Sequence, residues 1–173
     1  MATPRRGLST YELVLFALLA ALTFGLQVAM AQLPNIEPVS LLLMVFTRVF
    51  GLKALLIAYV FVLLEVLLYG ISLWTINYLY IWAILCLAVY ALRRVNQPLL
   101  WAAISGMYGL LFGALCAIPY LFIGGPGLAT SYFVSGIPFD LLHCAGNFVL
   151  ALLLGEPLVR LTRRAAGRGP HAV

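Results

Sequence analysis

Residues 11–33, YELVLFALLAALTFGLQVAMAQL, form a long and predominantly apolar run. A helix needs about 20 such residues to cross the hydrocarbon core of a bilayer, so this stretch predicts a first transmembrane helix. The whole chain agrees, because 65% of its 173 residues are hydrophobic and only 9% are charged, against roughly 25% charged in a soluble domain. We therefore expect residues 1–173 to form a single membrane domain, with no separate soluble catalytic or nucleic-acid-binding domain.

Breaker and turn residues divide the rest of the chain into further apolar segments. Pro38 opens a short second segment, Gly51 and Lys53 separate it from the third, and GGPG at 124–127 precedes the last one. The sequence therefore predicts an all-α bundle of six transmembrane helices with a short second helix. The expected spans are 11–33, 38–52, 54–70, 72–92, 99–123 and 136–160, followed by a short basic tail at 161–173.

The basic residues follow the ends of these spans in one pattern. If the amino terminus is cytoplasmic, all ten lysines and arginines fall at cytoplasmic helix ends, as the positive-inside rule requires. We therefore expect both termini to be cytoplasmic. The net charge of +5 is then a topology signal, although attraction to an anionic partner is the alternative interpretation.

This orientation brings three polar segments, 32–40, 69–82 and 132–143, to the outer face, and none of them contains a lysine or arginine. Because loops that are distant in sequence can converge there, we expect one pocket that binds a small molecule. Its candidate residues from the first two segments are Asn35, Glu37, Asn77, Tyr78 and Trp82.

A polar stripe marks the last span, within SGIPFDLLHCAGNFV at 135–149. Asp140, His143 and Asn147 are three and four residues apart, so at about 100° per residue they share one side of a helix. An aspartate in mid-membrane costs about 2.5 to 3.5 kcal/mol, which favours a stripe that faces the bundle interior and lines the pocket. The alternative for Asp140 is a cap on the first turn of the helix.

Two glutamates have more than one interpretation. Glu37 lies in the turn NIEP and either caps the second helix, stays solvated or lines the pocket. Glu65 lies about one turn inside the outer end of the third span, where it either reaches the pocket or pairs with Arg48.

The residues that bind metals or perform catalysis are sparse. Asp140, His143 and Glu37 are the best metal ligands available, but a lone histidine without an HxxxH pair is a weak set, and the three cysteines have no CxxC spacing. Neither HExxH nor GxSxG is present. We therefore expect no metal, no cofactor and no catalytic residue.

Small residues recur along the first span. Ala17 and Ala21 are four residues apart, and Gly25 follows after four more. This spacing lets helices approach closely in lipid, so it predicts contact either with a partner protein or with another helix of the same chain.

Two segments carry a family resemblance: LPNIEPVSLLLMVFTRVFG at 33–51, and GIPFDLLHCAGNF at 136–148 followed by PLVRL at 157–161. With the six spans, they resemble the substrate-binding S component of an energy-coupling factor (ECF) transporter over residues 8–164. The resemblance implies a non-enzymatic subunit of the prokaryotic plasma membrane that binds a vitamin or related micronutrient at the outer face. It also implies a transmembrane coupling subunit and two ATPase subunits as partners, with Ala17 and Ala21 contacting the coupling subunit. Ligand contacts carry over to the loop after the first helix and to helices four to six, at Asn35, Glu37, Asn77, Tyr78, Trp82, Asp140, His143 and Asn147.

The chain matches no ligand signature of the thiamine, riboflavin, biotin, folate or nickel branches, and it lacks the amino-terminal histidine motif of nickel and cobalt members. A pocket with carboxylates and no fixed positive charge favours a neutral or cationic hydrogen-bonding heterocycle. Two other functions stay open: a small membrane scaffold of the cell envelope, and a small membrane enzyme that uses Asp140 and His143.

Overall fold

A computed structural model describes residues 7–32 and 36–167, and within these residues all regular secondary structure is helical, with no strand. Five helical stretches are long and apolar enough to cross a membrane: Thr10–Ala29, Val39–Tyr69, Leu73–Ala91, Pro98–Cys116 and Ile118–Ala165. The individual helices are α1 (Thr10–Ala29), α2 (Val39–Phe50), α3 (Ala54–Tyr69), α4 (Leu73–Ala91), α5 (Pro98–Cys116) and α6 (Ile118–Ala165), with a 3-10 turn at Gly51–Lys53 between α2 and α3.

The chain reverses between α2 and α3. Gly51 has a φ of 63° and a ψ of −145°, a backbone conformation that glycine adopts readily because it has no Cβ. A continuous helix would hold Glu37 and Glu65 roughly 40 Å apart at 1.5 Å per residue. Instead, α3 packs against α2, so it runs back along α2.

Helix α2 is the centre of the bundle. Every one of its 12 residues except Arg48 is buried, and it packs against all five other helices. An α-helix that is apolar on all sides needs such an environment. At 1.5 Å per residue its length is only about 18 Å, and its first and last residues, Val39 and Phe50, are both buried.

The predicted end of the fifth span and start of the sixth are both wrong. Helix α5 ends at Cys116 instead of residue 123, and α6 already includes residues 126–135, which we expected to form a loop before a helix at 136. The GGPG sequence breaks helical geometry only at Gly124 and Gly125. Pro126 then occupies the first turn of the resumed helix, where a missing backbone N–H costs little.

One end of the bundle collects the positive charge. The Tyr11 hydroxyl, in the first turn of α1, donates to the Ala165 carbonyl oxygen at the end of α6. Lys53 Nζ lies 2.7 Å from Glu12 Oε1, and the end of α4 packs against the 3-10 turn. We call this the basic end, because it holds every lysine and arginine of the described residues: Arg48, Lys53, Arg93, Arg94, Arg160, Arg163 and Arg164. The opposite end, where α2 begins and α3 finishes, is called the acidic end.

Candidate functional site

Three glycines on α5 bring the polar face of α6 into the bundle. We call Gly106, Gly109 and Gly113 the glycine seam. A Cβ atom on Gly109 would lie only 2.7 Å from the His143 carbonyl oxygen, and one on Gly106 would lie 3.2 Å from the Cys144 carbonyl oxygen. The two backbones are therefore almost in contact, which only small residues allow in a membrane. This close approach carries the α6 side chains into the interior.

Asp140 lies against this seam and lines a cavity. Its Oδ1 accepts a hydrogen bond of 2.9 Å from the Gly113 N–H, whereas its buried Oδ2 has no hydrogen-bond partner among the described residues. The cavity measures about 330 Å³, the lower size limit of typical small-molecule sites. It is lined by Phe112, Gly113, Cys116, Tyr132, Ser135, Gly136, Phe139 and Asp140.

The interpretation of Asp140 as a helix cap is wrong. Helical geometry resumes at residue 126 and continues to Ala165, so Asp140 is several turns inside the helix. A side chain there is beyond the orphan N–H groups that a cap satisfies. Asp140 is instead held by Gly113 of the neighbouring helix.

His143 joins α6 to the segment before α2. Its ring packs edge-on against Phe112 with a centroid distance of 4.8 Å, and its Nε2 lies 3.4 Å from Glu37 Oε1. Neither of these two atoms makes a hydrogen bond within the described part of the chain. Glu37 is therefore neither a cap on α2, whose start has no side-chain cap, nor fully solvated.

Asn147 continues the buried face one turn further toward the basic end. Its Nδ2 lies 3.4 Å from the Ser105 carbonyl oxygen of α5, and its Oδ1 is buried without a partner in the described ranges. Asp140, His143 and Asn147 are all buried, whereas Leu141 and Leu142 between them are exposed. The three polar side chains therefore share the inner face of α6.

Helix α4 supplies the amide of Asn77 and the aromatic side chains of Tyr78, Tyr80 and Trp82. The Tyr80 hydroxyl lies 3.0 Å from Asn77 Oδ1 and 2.6 Å from the Leu115 carbonyl oxygen, so it ties Asn77 to the end of α5. Trp82 is completely buried, and its ring centroid lies 5.2 Å from Tyr78 and 5.8 Å from Phe112. Trp82 Nε1 has no hydrogen-bond acceptor among the described residues.

Glu65 belongs to the acidic end, and its alternative pairing with Arg48 is wrong. Arg48 is at the basic end, where its guanidinium lies 2.6 Å from Glu156 Oε1 and 4.7 Å from the centre of the Trp101 ring. Glu65 is only 4% exposed, and its Oε1 lacks a hydrogen-bond partner in the described chain. It lies one turn before the end of α3, at the acidic end.

Ring contacts, short polar contacts and charge interactions thus bring most of the candidate residues together. We call this set the acidic cluster: Glu37, Glu65, Asn77, Tyr78, Trp82, Phe112, Asp140, His143 and Asn147. Asn35 lies outside the described residues. Ala17 and Ala21 are exposed on the side of α1 that faces away from the bundle. The buried face of that helix is formed by Phe16, Ala20 and Thr23.

Sequence reasoning missed the contribution of α5. Phe112 contacts both Trp82 and His143, and Gly113 binds Asp140, although neither residue has chemistry that suggests a site. A signal was present in GLLFG at 109–113, because two glycines four residues apart are a typical helix-packing motif in membranes.

The acidic cluster can accept hydrogen bonds, and its Phe112 ring lies beside Asp140 in the lining of the cavity. It contains three carboxyl groups and no lysine or arginine. Among the described residues, no group of three or more histidine, cysteine, aspartate and glutamate side chains is arranged to hold a metal ion.

Comparison with known protein families, with curated proteins and with solved structures finds no match for this chain.

Proposed function

We propose that this protein is a membrane-embedded substrate-binding subunit of the ECF S-component type, which captures a vitamin or related heterocyclic micronutrient at the outer face. In this proposal α2 and α3 count as separate membrane helices, which gives six in total. The positive-inside rule then assigns the basic end and both termini to the cytoplasm of a prokaryotic cell. The acidic cluster accordingly faces the outer half of the plasma membrane.

The observation that carries the proposal is the set of buried polar atoms without partners around the acidic cluster. They include Asp140 Oδ2, Glu65 Oε1, Asn147 Oδ1 and Trp82 Nε1. A buried polar group without a partner costs about 1 to 3 kcal/mol. Of these atoms, Asp140 Oδ2 belongs to a residue that lines the cavity, so a ligand bound there can supply its missing hydrogen bond.

Import would require an energy source outside this sequence. No segment of the printed sequence resembles a P-loop, so we assign ATP hydrolysis to two partner ATPase subunits and docking to a coupling subunit. The exposure of Ala17 and Ala21 on α1 supports the docking role, because these residues are available for close contact with another membrane helix.

A ligand screen tests the proposal. The purified chain is heated in the presence of vitamins, nucleobases and their precursors, and a true ligand at about 100 times its Kd should stabilise the fold by roughly 2.7 kcal/mol. Asp140→Asn and Asn77→Ala should greatly reduce this stabilisation. The control is Glu12→Gln at the basic end, which should respond to the ligand as the original protein does. A screen in which no compound raises the Tm would contradict the proposal.

A membrane scaffold of the cell envelope is the second candidate, and the exposed small-residue face of α1 favours it equally. Co-purification from the native membrane separates the two functions. A binding subunit should bring a coupling subunit and ATPases, whereas a scaffold should bring envelope-assembly proteins and show no ligand response.

A further inference from the structure

The five acidic residues of this chain fall into two groups with opposite surroundings. At the basic end, Glu12 lies 2.7 Å from Lys53 and Glu156 lies 2.6 Å from Arg48. At the acidic end, Glu37, Glu65 and Asp140 form no ion pair with any lysine or arginine of the described residues. Their single possible counter-charge is His143, which contacts Glu37.

This imbalance is built into the interior of the protein. Glu65 is 4% exposed and Asp140 is 5% exposed, so water cannot solvate their carboxylates well. A buried charge without a partner is strongly unfavourable in a low-dielectric environment. The site therefore holds carboxyl groups that have no basic partner among the described residues and acceptor atoms that have no hydrogen bond.

On the basis of the proposed binding function, we infer that the ligand is an organic cation that carries N–H donors on a flat or ring-shaped body. Asp140 Oδ2, which has no partner within the described residues, accepts one of these N–H groups at the cavity. Glu65 and Glu37 supply the remaining negative field. A charge-assisted hydrogen bond of this kind is stronger than one between neutral groups.

The aromatic lining of the cavity favours an organic cation over an inorganic one. Phe112 lines the cavity together with Asp140, and the face of such a ring attracts ammonium and guanidinium-like groups. A metal ion would need several ligands in one place, and the described residues provide no such group. Anionic ligands are disfavoured because no lysine or arginine of the described chain lies at this end.

Three probes of nearly equal shape and different charge test the inference: benzamidinium, benzamide and benzoate. Their affinities for the full-length protein in nanodiscs are measured by isothermal titration, with Tm as a second readout. Benzamidinium should bind at least about tenfold more tightly than benzamide, since a hydrogen bond to a charged group contributes about 1.5 kcal/mol or more. Benzoate should not bind.

Variants connect this preference to the carboxylates. Asp140→Asn and Glu65→Gln should each remove most of the advantage of benzamidinium over benzamide, while Glu12→Gln should leave it unchanged. Asparagine keeps an acceptor for the Gly113 N–H, and Glu65→Gln provides a second test if Asp140→Asn fails to fold.

Several results would overturn the inference: equal or tighter binding of benzamide or benzoate, no binding of any probe, or a benzamidinium preference that survives both variants. The vitamin and nucleobase screen distinguishes this failure from failure of the proposed function. A neutral or anionic compound that stabilises the protein would overturn the cation inference and retain the binding function. If no compound of any charge stabilises it, both are wrong.

Discussion

The two ends of this bundle use carboxylates in opposite ways. At the basic end, Glu12 and Glu156 are paired with Lys53 and Arg48, and the pairs connect α1 to the 3-10 turn before α3 and α2 to α6. At the acidic end, Glu65 and Asp140 are buried without a basic partner among the described residues. The same chemical group therefore forms ion pairs with lysine or arginine at one end, while at the other end it is buried without such a partner among the described residues.

The packing of the glycine seam against α6 should give the largest mutational effect. Gly109→Val would place a branched side chain against the His143 carbonyl, 2.7 Å from the new Cβ, and should destabilise the protein by about 3 kcal/mol or more, because overpacking forces backbones apart. Denaturant titration in mixed micelles measures the loss. Gly127→Val is the matched control, since a Cβ at Gly127 meets nothing within 4 Å. Equal stability of the two variants would show that the glycine seam does not hold the acidic end together.

Breaking the Arg48–Glu156 pair should give the next largest effect. Arg48→Met leaves Glu156 without its partner in a partly buried position, where the two side chains are 12% and 30% exposed. We expect a loss of about 2 kcal/mol in the free energy of unfolding, below the 3 to 5 kcal/mol of fully buried pairs. A double-mutant cycle with Glu156→Gln measures the coupling. Strict additivity of the two changes would argue against a functional pair.

Glu65→Gln should change stability in the opposite direction. Because Glu65 has no basic partner in the described chain, replacing its carboxyl group by a neutral amide should stabilise the ligand-free protein by about 1 kcal/mol. The same micelle titration measures this gain, with Glu156→Gln as the control that should be destabilising. A clear loss of stability in Glu65→Gln would mean that the carboxylate has a stabilising interaction, and the contrast between the two ends would fail.

The smallest effect is expected for Glu12→Gln. Lys53 is 45% exposed in this pair, and exposed ion pairs contribute about 0.2 to 1 kcal/mol. The difference from the original protein should shrink further at high salt, which screens exposed charges. An effect as large as that of Arg48→Met, or one that is insensitive to salt, would contradict this ranking.

Much of the helical framework is predictable from the sequence. The apolar runs predict α1, α3 and α4 to within a few residues, and Gly51 and Lys53 mark the turn after the short α2. The prediction failed at the junction of α5 and α6. Glycine and proline in a sequence indicate that a helix is broken, but they do not indicate how many residues leave the helical conformation. Gly124 and Gly125 leave helical geometry, yet Pro126 starts a new helix at once.

The candidate site divides in the same way. Helical spacing was sufficient to put Asp140, His143 and Asn147 on one face, because 3.6 residues per turn is a local property of the backbone. It could not decide between a cap and an interior role for Asp140, since that depended on where α6 begins. Nor could it choose between the pocket and Arg48 for Glu65, because the answer depends on which helix ends are neighbours.

The sequence alone therefore determined the all-helical class, the presence of helices apolar enough to cross a membrane, the approximate bounds of α1, α3 and α4, and the periodicity of the polar face. These properties depend on composition and on local backbone geometry. Only the tertiary structure decided which carboxylates have basic partners. Ion pairing depends on distances of a few ångströms between residues as far apart in sequence as Arg48 and Glu156, and those distances arise from helix packing. The contrast between paired and unpaired carboxylates thus became visible only in the folded bundle.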